Sequence, residues 1–187
     1  MVLIDATTLL LFLSPLAEPP TATNLPIEHA QLRVEHLVKS LEAKRTKILV
    51  PAPALSEVLV RAGTAGQQYV RRIERSSVFR TVPFDTKAAI EVATMTREAI
   101  ENKDKRDGAD GTWAKIKYDR QIVAIAKVHG VEAIYSDDGN IRSFATRHDI
   151  PVIGLRECQV PQESLQGRLQ FEVPSETERS DQPRPPG

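Results

Sequence analysis

Cys158 is the only cysteine in the 187 residues, which excludes an internal disulfide and any multi-cysteine zinc site. A lone thiol fits a reducing compartment, and without an evident base partner it reads as incidental. The four histidines show no HExxH pattern and no ligand spacing, so they read as surface residues. The formal net charge is zero, so the whole chain lacks the basic footprint of a polyanion binder. From Arg156 onward four Arg stand against six Asp and Glu, a balance of −2 that leaves +2 for residues 1–155. That asymmetry is too small to argue for nucleic-acid binding. No window reaches the roughly 18 consecutive apolar residues of a membrane span. The opening "MVLIDATTLLLFLSPLAEPP" has no basic n-region, and Asp5 interrupts its apolar run, so it does not read as a signal peptide. A cytoplasmic protein with no membrane partner is expected.

What is present is ordinary for a globule: 41% apolar and 27% charged residues, in a length that suits one domain with a real core. "MVLIDAT" and "KILVPAP" are continuous apolar runs, the pattern of central parallel strands covered on both faces. "VFRTVPF", "EAIYSDD" and "IPVIG" also read as strands. Between them lie helical segments. "TTLLLFLSP" stops by Pro15, and the stretch from Ile27 to Leu41 has apolar residues at three- and four-residue steps. "ALSEVLVRAG" stops at Gly63 and "GQQYVRRIERS" follows. "DTKAAIEVATMTREAIEN" has Asp85 as its cap, "YDRQIVAIAKVHG" ends at Gly130, and "NIRSFATRH" comes last. "AEPPTATNLP" reads as a loop. Alternating strands and helices predict an α/β fold, a three-layer sandwich with a mostly parallel central sheet. The domain is expected to span residues 1–155. Residues 156–187 form a polar, Pro-rich tail, expected to be disordered or loosely docked.

The carboxylates then stand out by position. Asp5 ends the first strand, and Asp137 and Asp138 end the fourth. Glu57 lies in the first turns of the helix after "KILVPAP", and Asp119 opens the helix "YDRQIVAIAKVHG". Ligands of parallel sheets gather outside the carboxyl ends of the strands, so these acids, distant in sequence, converge on one edge. Convergent carboxylates repel one another unless hard cations lie among them, and an oxygen-only set suits Mg2+ or Mn2+. Two such ions about 4 Å apart can activate a water and stabilise the leaving oxygen of a phosphodiester. Lys115 and Lys117, just before Asp119, are candidates to grip phosphates.

"MVLIDATTLL", "VPAPALSEVL", "YDRQIVAIAKVHGV" and "IYSDDGNI" resemble, in order, the four acidic motifs of the PIN-domain family, which includes the VapC-like toxins of toxin–antitoxin pairs. The resemblance covers about residues 1–155. Asp5, Glu57 and Asp119 match its first three acidic positions, and Ser136 with Asp138 fills its last motif. It implies Asp5, Glu57, Asp119 and Asp138 as catalytic residues. It implies Asp5, Asp119 and Asp138 as metal ligands, with Glu57 and Asp137 as further candidates. Thr7, Ser136 and Asn140 are expected to support the ligands, Thr7 by orienting Asp5 or a water through its hydroxyl. Two positions depart from the family: Asn140 stands where another acid is common, and Ala6-Thr7 stands where Thr followed by Asn or Ser is usual. The resemblance implies a Mg2+- or Mn2+-dependent ribonuclease with an RNA substrate, often homodimeric and often inhibited by an antitoxin. The stretch Ile27 to Leu41 and the helix Leu55 to Val60 are the expected antitoxin groove.

Plainer readings stand beside these. Glu57 and Asp119 also suit helix N-terminal charges, "SDDGN" suits a tight turn, and Asn140 suits a helix cap. The spacing of Asp104, Asp107 and Asp110 is wrong for a calcium loop, so they read as a solvated loop. Arg71, Arg72 and Arg75 read as a solvated helix face. Trp113 either anchors its loop or stacks on a base. Two other functions compete. One is a catalytically impaired PIN-like binding or regulatory module, supported by Asn140. The other is a phosphotransfer domain with Asp5 as nucleophile, disfavoured because Thr7 stands where a second Asp is usual.

Overall fold

The computed structural model describes residues 1–18, 21–22 and 25–161. The chain opens with β1 (Val2–Ile4), wholly buried, and turns directly into α1 (Ala6–Leu13). A small antiparallel ribbon of β2 (Thr21–Ala22) and β3 (Leu25–Pro26) precedes α2 (Ala30–Ala43). Next come β4 (Ile48–Pro51), α3 (Ala52–Ala62), a 3-10 turn (Gly63–Ala65), α4 (Gly66–Arg75) and β5 (Phe79–Val82). The second half holds α5 (Thr86–Glu101), α6 (Trp113–His129), β6 (Ile134–Tyr135), α7 (Gly139–Thr146) and β7 (Val152–Ile153). A last 3-10 turn, Leu155–Glu157, follows.

Five strands form one parallel sheet in the order β5-β4-β1-β6-β7. Every residue of β1 and β4 is buried, which is why both segments are apolar throughout: helices cover the two faces of the central strands. The expected α/β sandwich is therefore present, and its main sheet is wholly parallel. Val2 pairs with Ile48 on one side of β1, and Leu3 pairs with Ile134 on the other. The chain builds outward from β1 to β5 and returns to β6 on the opposite side. Strand order reverses beside β1, and that reversal opens a crevice at the carboxyl ends of β1 and β6. Asp5 and Ser136 follow those two strands directly.

Gly63 and Gly130 close α3 and α6 at positive φ, 52° and 58°, where a Cβ would be strained. Four boundaries differ from the expectation. Part of the stretch read as loop pairs as the β2–β3 ribbon. The second helix begins at Ala30, leaving Ile27 buried in its lead-in. The helix expected from Tyr118 starts five residues earlier, at Trp113, where Thr112 Oγ1 accepts from Lys115 N at 3.2 Å. Its first turns were hidden by alternating lysines, although Ile116 between them is fully buried. The packed body also runs past residue 155, because Leu155 and Cys158 are buried and Arg33 donates to the carbonyls of Arg156 and Cys158. The rest of the predicted tail, beyond residue 161, lies outside the described residues. Among the described residues no helix is long and apolar enough to cross a membrane.

Candidate functional site

Asp5 is where the sheet meets its first helix. It caps α1: its Oδ1 accepts from Thr8 N at 2.8 Å, and its Oδ2 accepts from Ser136 Oγ at 2.5 Å. Its backbone N–H continues the ladder to Tyr135 O. Burial pushes the Asp5 carboxyl up to about 6, with the Ser136 and Thr8 bonds pulling the other way and Asp138 adding repulsion. A capping side chain bonds to the N–H of the second or third helical residue, and here it takes the third. The partner of Asp5 within α1 is thus Thr8, a residue the four motifs do not single out. The Thr8 hydroxyl also donates to Tyr135 O at 3.2 Å, tying α1 to β6. Thr7, half-buried, lines the cleft in front of Asp5.

Extended backbone after β6 sends alternate side chains to opposite sides. Ser136 and Asp138 turn toward Asp5, and Asp138 N donates back to Ser136 Oγ at 3.0 Å. Asp137 turns the other way and accepts from Leu155 N at 3.1 and 3.2 Å. Burial raises its carboxyl, offset by that backbone bond and by Arg142. Asp137 therefore does not join the other acids, and its expected role as a further metal ligand is corrected to that of a clamp on the last 3-10 turn. Asp138, not Asn140, caps α7: its Oδ1 accepts from Asn140 N at 2.8 Å and from Ile141 N at 3.2 Å.

Asp119 lies in the second turn of α6, not at the start of the helix, and is nearly buried. Asn140 Nδ2 donates to Asp119 Oδ2 at 2.9 Å and to Asp110 O at 2.9 Å, while its Oδ1 accepts from Asp110 N. Lys115, one turn earlier on α6, places Nζ 2.9 Å from Asp119 Oδ2 and 2.6 Å from Asp138 Oδ2. Burial raises the Asp119 carboxyl, while Lys115 and Asn140 lower it. The two acids raise the Lys115 ammonium despite its own burial.

These groups face one cleft of roughly 480 Å³, lined by Asp5, Thr7, Glu57, Lys115, Asp119 and Asp138 among others. Glu57 stands on the α3 wall, half-exposed and paired with Arg61 Nη2 at 2.7 Å, apart from the three aspartates. Val60 and Tyr118, both exposed, mark the rim of this cleft. Lys117 lies on the other side of α6, 5.6 Å from the Trp113 ring, and does not line the cleft. Trp113 also contacts Lys105 and the buried Arg120, which in turn donates to Lys105 O, so it anchors its loop to the body.

Among the described residues no group of three or more His, Cys, Asp or Glu side chains is placed, as it stands, to hold a metal ion. The acids of the cleft offer oxygen donors, the type a hard divalent ion takes. Asp119 and Asp138 already share one cation, the Lys115 ammonium, and Asp5 is a buried carboxyl with no cationic partner among its bonds. Four carboxylates and two cationic side chains line the cleft, a formal excess of two negative charges.

Neither the family models nor the curated proteins compared with the sequence gave a match. Solved structures did. A chain from FitAB bound to an IR36 DNA fragment is 21% identical, with TM-score 0.55, over 85% of this chain and 98% of that one. A chain from DNA-bound VapBC of Salmonella typhimurium is 17% identical, with TM-score 0.53, over 82% and 97%. One from Rickettsia felis VapBC2 bound to a promoter DNA fragment is 11% identical, with TM-score 0.54, over 82% and 98%. The shared architecture is the PIN-like α/β sandwich that the four motifs imply.

Proposed function

We propose that this protein is a Mg2+- or Mn2+-dependent endoribonuclease and the toxin of a toxin–antitoxin pair. The observation that carries the reading is that Asp5, Asp119 and Asp138, from three distant segments, line one cleft where strand order reverses. Asp5, Asp119 and Asp138 would hold the ion, with Glu57 on the facing wall. When bound, the ion supplies charge for the scissile phosphate and activation of a water. The chain's own groups prepare that site. Ser136 and Thr8 fix Asp5, the Asn140 amide fixes Asp119, and the α7 cap fixes Asp138. Lys115 and Arg61 supply positive charge on two sides of the cleft for the RNA backbone. In the reaction a water oxygen bonds to phosphorus, the bond to the leaving sugar oxygen breaks, and that oxygen takes up a proton.

FitAB and VapBC, which share the fold, are described bound to DNA. On the motif resemblance, a small antitoxin protein is the proposed partner and a homodimer the proposed assembly. The antitoxin's proposed seat is a groove of roughly 440 Å³ lined by Leu11, Ile27, Ala30 and Leu32.

The test is incubation of pure protein with assorted RNAs, with and without Mg2+ or Mn2+, beside Asp5→Asn and Asp138→Ala. Cleavage is expected only in the wild-type protein and only with metal. Undiminished cleavage by Asp138→Ala would overturn the assignment. A second reading, a PIN-like module that binds without cutting, draws on the described carboxylates not being placed, as they stand, to hold a metal ion. The same assay decides between them.

A further inference from the structure

We infer that Lys115 is a built-in counter-ion that a divalent metal must displace, so that metal loading transfers the Lys115 ammonium from the acids to the phosphate of the substrate. The inference rests on the metal-dependent reading above and deepens it by giving the site an internal competitor.

The geometry sets up a direct competition. Asp138 Oδ1 is committed to capping α7 through the N–H groups of Asn140 and Ile141. That leaves Oδ2 as the oxygen Asp138 can offer a cation, and Lys115 Nζ lies 2.6 Å from it. The same Nζ holds Asp119 Oδ2 at 2.9 Å, so the ammonium bridges two of the three acids. A metal ion shared by those acids needs Asp138 Oδ2, the oxygen that Lys115 occupies, whereas Asp119 keeps its Oδ1 to offer beside the Oδ2 that Lys115 and Asn140 hold.

The hold is also releasable. Lys115 precedes Asp119 by four residues, the less favourable order for a helical ion pair. Its side chain is 44% exposed, and its flexible stem can carry the charge back to water. A doubly charged ion gains more from the paired carboxylates than a single ammonium does, while the acids without either cation would repel each other. Once displaced, the ammonium stays on the cleft wall and meets an incoming anion. Its sharing between Asp119 and Asp138 offsets part of their mutual repulsion in the metal-free site.

The test uses the full chain and Mn2+ alone, with free Mn2+ read by electron paramagnetic resonance. Wild type, Lys115→Gln and Lys115→Arg are compared after circular dichroism shows all three folded. Two partly exposed charge-assisted contacts are lost in Lys115→Gln, so its Mn2+ affinity is expected to rise about tenfold. Lys115→Arg keeps the charge and is expected within about threefold of wild type. With saturating Mn2+, a non-hydrolysable RNA analogue is expected to bind Lys115→Gln more weakly than wild type. If wild type binds Mn2+ and Lys115→Gln binds it equally or less well, the competition is overturned while the metal-dependent reading stands. Undiminished affinity of Lys115→Gln for the RNA analogue overturns the transfer to phosphate. If no variant binds Mn2+, both are overturned. A Mn2+ series as expected in a protein that cuts no RNA supports the exchange and overturns the ribonuclease reading alone.

Discussion

Asn140 holds Asp119 from one side and the backbone of Asp110 from the other, through bonds of 2.9 to 3.0 Å in which its amide both gives and receives. The position at which the PIN-domain resemblance leads one to expect a fourth acid thus carries a donor that steadies the third. An acid there would have no N–H to give and would face Asp119 Oδ2 directly. Asn140→Asp is expected to lower the stability of the metal-free protein by about 2–3 kcal/mol, from lost bonds to buried groups and like-charge repulsion. Added Mn2+ should restore part of it. Thermal melts with and without Mn2+ check this, and an unchanged melting temperature in the metal-free variant would contradict the role given to Asn140.

Asp5 makes a pH prediction whose sign runs opposite to that of a salt-bridged aspartate. Its folded value of about 6 exceeds the ordinary 3.8, so between those two pH values the native state binds more protons than the unfolded one. Stability of the metal-free protein therefore falls as pH rises from about 4 to about 6, by about 3 kcal/mol from this group, and stays lowered above that. Asp5→Asn keeps an oxygen for Thr8 N and removes the charge. It is expected to raise the melting temperature at pH 7.5 and to flatten the wild-type slope between pH 4 and 6. Denaturant melts of both proteins across that range measure the difference.

Adjacent aspartates with opposite directions should behave differently when truncated. Asp138→Ala removes a cap and a cleft carboxylate, so metal-dependent cleavage is expected to fall by at least about a hundredfold. Asp137→Ala lies outside the cleft and is expected to leave cleavage within about threefold of wild type. Its effect should appear as faster amide hydrogen exchange at Leu155, whose N–H it accepts. Equal losses of activity from the two substitutions would be inconsistent with the alternation.

Arg33 fastens the end of the described chain to α2 by donating to Glu28 O, Arg156 O and Cys158 O. Arg33→Ala is expected to lower stability by about 1–3 kcal/mol, as several bonds to carbonyls are lost. Exchange protection at Glu157 and Cys158 should fall selectively. Unchanged protection there would mean that the burial of Leu155 and Cys158 holds the segment alone.

Hydrophobic patterning made most of the fold legible. Continuous apolar runs marked β1 and β4 because both faces of those strands are covered, and glycines at positive φ marked the ends of α3 and α6. The start of α6 was not legible, because its early lysines are solvated on one side while Ile116 packs on the other, and only packing tells those sides apart.

The site divides along the same line. That Asp5 and Asp138 sit where strands end and helices begin follows from local order along the chain, which the sequence encodes residue by residue. Tertiary structure alone decided that Asp137 turns away to Leu155, and that Lys115 bridges two acids while Lys117 sits with Trp113. Side-chain direction and charge pairing depend on strand register and on neighbours brought from elsewhere in the chain, such as the 23 positions that separate Lys115 from Asp138. Spacing in one dimension carries no record of which of those neighbours will meet.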